Sequence, residues 1–355
     1  MKREILLVLF VIIIVLYGCQ NQNNLKVGVI LPLTGEMASY GLDCKDGIEI
    51  SNDINGLNVE YIYEDSKGDP KTAIAAYKKL TTIHNVQYVI GDMFSNTTLA
   101  IAPLAKKNEK ILVSPTASSR DISQDNIYAL SVFPSERYEA KLIADFAKNK
   151  YSRIGVLYQK VAAAQVMYDA FMEEIGQNYI SCCIAFDSNT DSFYNELHKI
   201  RKANCDVIYL ITYSNKATQI MTQAVELKMD VDFLGQSALY DSNLYQVLQT
   251  LSTQFYLTGP AYNPLNKDEQ SVAFTNAYRE TYNRDANQMS AQGYVAAIIA
   301  HKLYYLARNQ QYTSEMIRTI STSFYGSIFS FDEKLCSTSG LKLYEYKDSQ
   351  FILLK

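Results

Sequence analysis

The 355-residue chain has no tryptophan and three histidines, His84, His198 and His301, that stand far apart. Without tryptophan it lacks the broad ring best suited to stacking on a sugar face, which argues against a sugar site. Isolated histidines, no CxxC pair and no HExxH leave no metal-ligand spacing. Nor is there a GxSxG elbow or a cysteine beside a histidine, so no activated nucleophile is visible. Neither an enzyme activity nor a cofactor is expected. Acidic residues such as Glu64, Asp65 and Asp69 read as loop caps. Positive charge is also scarce. Lys and Arg number 33 against 37 Asp and Glu, spread without a basic stripe, which excludes nucleic acid as a partner. The longest apolar run, Ile5 to Leu16, has 12 residues, whereas a membrane-spanning helix needs about 20.

That run follows Lys2-Arg3 and precedes Gly18-Cys19. A basic start, a short apolar stretch and a small residue read as a secretory signal. The cysteine directly after Gly18 resembles the bacterial lipobox, in which the cysteine takes a diacylglycerol and the peptide before it is removed. Residues 1–18 are then a signal peptide, Cys19 a lipid anchor and 19–24 a polar tether; the alternative is an uncleaved N-terminal anchor. Either way the rest of the chain is expected outside the cytoplasm, at a bacterial membrane. Removing residues 1–18 shifts the formal net charge from -4 to about -5. Five cysteines remain: Cys44, Cys182, Cys183, Cys205 and Cys336. An odd number leaves at least one unpaired, and buried free thiols are expected. Adjacent Cys182 and Cys183 on a strand should point to opposite faces.

Beyond residue 24 strands and helices alternate. Leu25–Leu31, Asn58–Tyr63, Val86–Ile90 and Ile111–Val113 read as strands, with helices over 39–54, 70–83 and 97–107. Pro70 suits a helix start. A second block repeats the rhythm, with strands over 153–158, 179–185, 206–211 and 255–258 and helices over 136–148, 164–175, 192–202 and 216–227. Such alternation implies α/β architecture with parallel sheets covered on both faces. Three helical patterns, 267–282, 290–307 and 313–322, and two short strands, 342–346 and 351–354, close the chain. The length suits two domains of about 150 residues each.

Particular residues now carry a resemblance. Val27-Gly28-Val29-Ile30-Leu31-Pro32-Leu33-Thr34-Gly35 with Tyr40-Gly41 is similar to the opening of the leucine/isoleucine/valine-binding family. This family comprises the type I periplasmic solute-binding proteins of ABC importers. The likeness continues in order through Glu64 to Pro70, Val89 to Ser95, Ser114 to Ser118, Phe133-Pro134-Ser135, Arg153 to Tyr158 and Phe331-Asp332-Glu333. It implies two Rossmann-like lobes joined by three crossovers, with a ligand cleft between them. The crossovers are expected near 132–135, 259–260 and 326–330. Lobe one is then 25–133 plus 261–327, and lobe two 134–260 plus 328–355. The cleft should lie at the carboxyl ends of the strands, where strand order reverses, and close by hinge motion.

Ser95 follows a strand and opens a helix, where free backbone N–H groups favour an anion. Ser95 or Asn96 capping its own helix is the competing reading. The resemblance implies that the serine holds a ligand carboxylate. Thr116, Ala117 and Ser118 offer two hydroxyls and backbone amides that complete such a clamp; a plain Pro/Ser/Thr turn would look the same. The resemblance also implies an aromatic on the ligand from each lobe, Tyr40 and Tyr213, although the chain has 28 tyrosines.

Two positions depart from the family. The acidic residue that pairs a ligand ammonium in amino-acid binders falls at Ser237, leaving Asp241 as the nearest carboxylate. Ala163 stands where an aromatic is usual, which enlarges the pocket. The resemblance thus implies a lipid-anchored binding protein that brings a small carboxylate-bearing ligand to ABC permease subunits. That ligand is a branched-chain or related amino acid, an amide or an organic acid. A ligand-sensing receptor of the same fold is the alternative.

Overall fold

Leu25–Leu31 is apolar at nearly every position, and the computed structural model buries it on both faces. Val27, Val29 and Leu31 enter one core with Ile90, while Ile30 enters another with Tyr77 and Leu80. Alternate side chains of a strand point to opposite faces, so a strand apolar at consecutive positions needs cover on both sides. The structure describes residues 25–240, 244–262, 268–324, 327–333 and 335–354.

The first block is β1 (Leu25–Leu31), α1 (Ala38–Asn55), β2 (Val59–Asp65), α2 (Pro70–Thr82), β3 (Tyr88–Ile90), α3 (Ser95–Asn108), β4 (Ile111–Ser114) and β5 (Ala129–Pro134). The second is α4 (Glu136–Lys150), β6 (Ile154–Gln159), α5 (Ala162–Ile175), β7 (Ile180–Phe186), α6 (Tyr194–Lys202), β8 (Val207–Ile211), α7 (Ser214–Glu226), β9 (Asp232–Gly235), α8 (Tyr245–Leu248) and β10 (Phe255–Pro260). The tail is α9 (Glu269–Tyr282), α10 (Gln288–Ala307), α11 (Ser314–Thr319), β11 (Thr322–Phe324), β12 (Ser327–Phe329), β13 (Cys336–Ser337), β14 (Leu341–Lys347) and β15 (Gln350–Leu353).

One sheet has the order β13-β5-β4-β3-β1-β2, all parallel. The other runs β15-β14-β10-β9-β8-β6-β7, parallel except for β14 and β15. The cores β2-β1-β3-β4-β5 and β7-β6-β8-β9-β10 have the same order, so strand order reverses at β1/β3 and at β6/β8. β5 and β9 are strands that hydrophobic runs alone did not mark. β5 ends in the proline assigned to a crossover, and β9 is four residues long.

The chain leaves the first sheet at Pro134, and α4 then packs Ala140 and Ile143 on Ile154 of the second. It returns after Pro260, where Ala261 and Tyr262 rejoin the first core. The third crossover differs from expectation. Phe329, Phe331 and Leu335 are buried in the first core, and Cys336–Ser337 pairs with β5. Burial of these apolar side chains keeps 328–337 with the first sheet, so the chain changes sheet between Ser337 and Leu341. The last expected helix also stops early, at Thr319, and Thr322 opens the hairpin β11–β12.

In the tail α10 presses on α1. A Cβ on Gly47 would lie 1.7 Å from the Ser290 carbonyl, and one on Gly293 would lie 2.1 Å from that of Cys44. Only glycine allows this approach. Among the described residues no helix is long and apolar enough to cross a membrane.

Candidate functional site

The carboxyl end of β3 leads through Gly91–Phe94 into α3. Phe94 is the N-cap and has no polar side chain, so no side chain caps the helix. The first intrahelical bond is Thr98 N–H to the Phe94 carbonyl, 2.9 Å. The N–H groups of Ser95, Asn96 and Thr97 precede it and have no acceptor within the helix. Ser95 thus stands one position inside the helix, and the competing reading of Ser95 or Asn96 as the cap does not hold. The Ser95 Oγ accepts from the Ser119 N–H at 3.2 Å, and Asn96 is exposed.

The loop after β4 is tied to this turn. Ser114 Oγ donates to the Asp92 carbonyl at 2.6 Å and accepts from Ala117 N–H at 3.1 Å. Thr116 Oγ1 donates to the Met93 carbonyl at 2.7 Å. The Ala117 amide is engaged within this loop and its methyl lies in the core with Leu112 and Ala129. The Thr116 hydroxyl likewise holds the loop. Ser118 alone of the three turns outward, donating to Glu136 Oε1 across the first crossover at 3.0 Å.

Between the two sheet units lies a cleft of ≈ 580 Å³. One wall carries Ser95, Leu99, Ser118 and Arg120; the other carries Glu136, Glu139, Ala163, Met167, Tyr213, Gln236 and Ser237. Ser95, Ser118, Tyr213 and Ser237 thus converge on one cleft, which Ala163 also lines. Tyr213 precedes α7 and is half exposed. Tyr40, equally exposed, Asn96, Thr116 and Ala117 are not among the cleft-lining residues. Cys19 and Asp241 lie outside the described residues.

Sequence reasoning missed Glu136 and Glu139. Both sit in the first turn of α4, after Ser135, which caps the helix by accepting from Tyr138 N–H at 3.4 Å. Glu139 is buried. It accepts from Ser237 N–H at 2.5 Å, Ser237 Oγ at 3.1 Å and Thr258 Oγ1 at 2.5 Å. Ser237, where the resemblance put an acid, hydrogen-bonds to one. Burial pushes the Glu139 carboxyl above its ordinary range against the pull of these three donors. Burial raises Glu136 as well, with Ser118 opposing. A findable signal was Ser135-Glu136-x-x-Glu139, two acids in one helical turn beside an expected crossover.

The cleft is acidic on balance. Asp121, Glu136, Glu139, Asp169 and Glu173 face Arg120 and Arg137. Arg137 is held by Glu173 and Glu174 at 3.4 and 3.0 Å. Of the suspected loop caps, Asp65 accepts from Leu33 N–H at 2.8 Å and Asp69 from Thr72 N–H at 2.8 Å, whereas Glu64 pairs with Lys79 at 2.7 Å.

Comparison with known proteins agrees with this architecture. The Leu/Ile/Val-binding protein homolog 3 of Brucella melitensis is 24% identical over 282 residues, 74% of this chain and 76% of the relative. Among solved structures, the branched-chain amino acid transporter substrate binding protein LivJ of Streptococcus pneumoniae, in complex with isoleucine, superposes with TM-score 0.69 at 21% identity. The match covers 94% of this chain and 99% of that one. An ABC transporter solute binding protein of R. palustris, in complex with benzoate, gives 0.70 at 17% identity, covering 93% and 95%. The family model described as periplasmic binding protein matches residues 24–321, most of the sequence, and the chain belongs to that family.

Proposed function

We propose that the chain is an extracytoplasmic solute-binding lipoprotein that takes a small carboxylate-bearing ligand between its two sheet units and delivers it to an ABC permease. The observation that carries this reading is the cleft between two units of equal strand order, with an uncapped helix N-terminus on one wall. Such a terminus favours an anion by about 0.3–1 kcal/mol from the dipole alone, before hydrogen bonds are counted. Isoleucine and benzoate, bound by the two similar structures, share a carboxylate.

The opposite wall favours a ligand that is also cationic. Glu136 is bonded to a serine hydroxyl, and a ligand ammonium beside it would meet the opposite charge that burial demands. The reading is therefore an amino acid, its carboxylate toward Ser95 and Ser118 and its ammonium toward Glu136. A ligand carboxylate competes with Glu136 for the Ser118 hydroxyl, so capture and closure rearrange the same bond. We take 25–134 with 261–339 as one lobe and 135–260 with 340–354 as the other. Anchoring through Cys19 would keep the captured solute near the permease at high effective concentration.

A thermal-shift screen of amino acids, amides and organic acids tests the ligand class. A ligand at 100 times its Kd adds about 2.7 kcal/mol of stability. If no carboxylate compound raises the melting temperature, the reading fails. Cys19→Ser should release the protein from the membrane fraction, and continued retention would remove the anchor.

A further inference from the structure

Cys182 and Cys205 lie at the end of the second sheet away from the cleft. Cys182 is the third residue of β7, an edge strand, and Cys205 sits in the turn entering β8. Their sulfurs are 3.7 Å apart although the residues are 23 positions apart in sequence. Strand β6 runs between β7 and β8, and its Gly155 faces Cys182 in register. A Cβ on Gly155 would stand 3.0 Å from the Cys205 sulfur and 3.6 Å from that of Cys182. The missing side chain leaves the space in which the two thiols meet. Both are half-buried, so an oxidant can reach them. Cys183 points to the other face, against Tyr168, and does not compete.

We infer that Cys182 and Cys205 are a disulfide-forming pair, stapling edge strand β7 to the entry of β8 when the protein meets a small-molecule disulfide oxidant. The sulfurs must approach by ~1.7 Å to reach a bond of about 2.0 Å. The two thiols share a hydrogen bond in which either sulfur can donate, and it favours the thiolate at Cys182 over Cys205. Cys182 is thus the attacking group. Its thiolate displaces one thiol from the oxidant and forms a mixed disulfide. Cys205, on losing its proton, attacks the Cys182 sulfur and releases the second thiol. Two electrons and two protons pass from the cysteines to the oxidant, which leaves as two thiols.

This pairing rests on geometry alone; only its occurrence in cells depends on the proposed export. The test is treatment of the purified full chain with oxidised glutathione, then alkylation and peptide mapping. The expected product is a peptide pair linked through Cys182 and Cys205, with a mass about 2 Da below that of the reduced pair. The melting temperature should rise by roughly 5–10 °C for a loop of this length. Cys205→Ser should stop the reaction at a glutathione adduct on Cys182. If Cys205→Ser does not fold, the map of the unsubstituted protein decides alone. Full alkylation of both residues after oxidation, or a Cys182–Cys183 link, would overturn the inference. A ligand screen that fails while the linked peptide forms would refute the proposed function and leave this pair standing.

Discussion

Two helices that enter the cleft from opposite walls, α3 and α4, differ at the N-cap. On the first wall α3 is entered through Phe94, which cannot cap, so no side chain caps the N–H groups of its first turn. On the second wall α4 is entered through Ser135, which caps, and Glu136 and Glu139 fill the same turn with negative charge. The counterpart of α3 in the second unit is α7, entered through Tyr213 and likewise uncapped, whereas α4 follows the first crossover. Glu136 and Glu139 put negative charge at the start of α4, where the first turn of α3 has none. That difference is the basis of the orientation proposed above for an amino-acid ligand.

The most severe way to break the contrast is Glu139→Ala. It leaves the Ser237 N–H and the Ser237 and Thr258 hydroxyls without their acceptor, and should cost about 2–4 kcal/mol in denaturant unfolding. A change below about 0.5 kcal/mol would mean that the second wall does not depend on Glu139. Next, Ser95→Ala with Ser118→Ala should weaken a carboxylate ligand by about tenfold or more, because hydrogen bonds to charged groups are worth ~1.5–3 kcal/mol. The free protein should melt nearly as before. Unchanged affinity in calorimetric titration would take the carboxylate off the first wall.

Glu136→Gln sharpens the comparison. It should lower affinity for amino acids by about tenfold and spare or improve that for acids without an ammonium. Equal losses for both classes would remove the ammonium assignment. The smallest effect is on pH dependence. Burial raises the Glu136 and Glu139 carboxyls, so the folded protein holds protons that the unfolded chain has released. Their stabilisation is complete below the unfolded glutamate pKa of about 4.3 and is lost as pH rises through the folded values. The apo protein with both residues changed to Gln should lose less stability than the unsubstituted protein as pH is raised from about 5. An identical slope would show that these carboxyls are not raised.

Much of the fold was legible locally. β1 was readable in full because consecutive apolar residues allow no other cover than two helical layers. The start of α2 was marked by Pro70 with Asp69 as its cap. β5 and β9 were obscured by a terminal proline and by shortness. The third crossover was misplaced because Phe329, Phe331 and Leu335 find their core only once α9 and α10 have returned. At the site, Ser95 and Ser118 were identifiable as hydroxyls after strands. Ala117 was not separable from them, since its burial depends on the packing of β4 against β5.

The sequence by itself determined the α/β class, the two repeating blocks and the scarcity of groups able to do chemistry. These follow from periodicity and composition, which each segment carries without its neighbours. Tertiary structure alone decided that Glu139 serves Ser237, that Ser118 meets Glu136 and that Cys182 meets Cys205 across a glycine. Each of those meetings joins residues many positions apart. Their distance depends on strand order and crossover placement, which only the folded sheets supply.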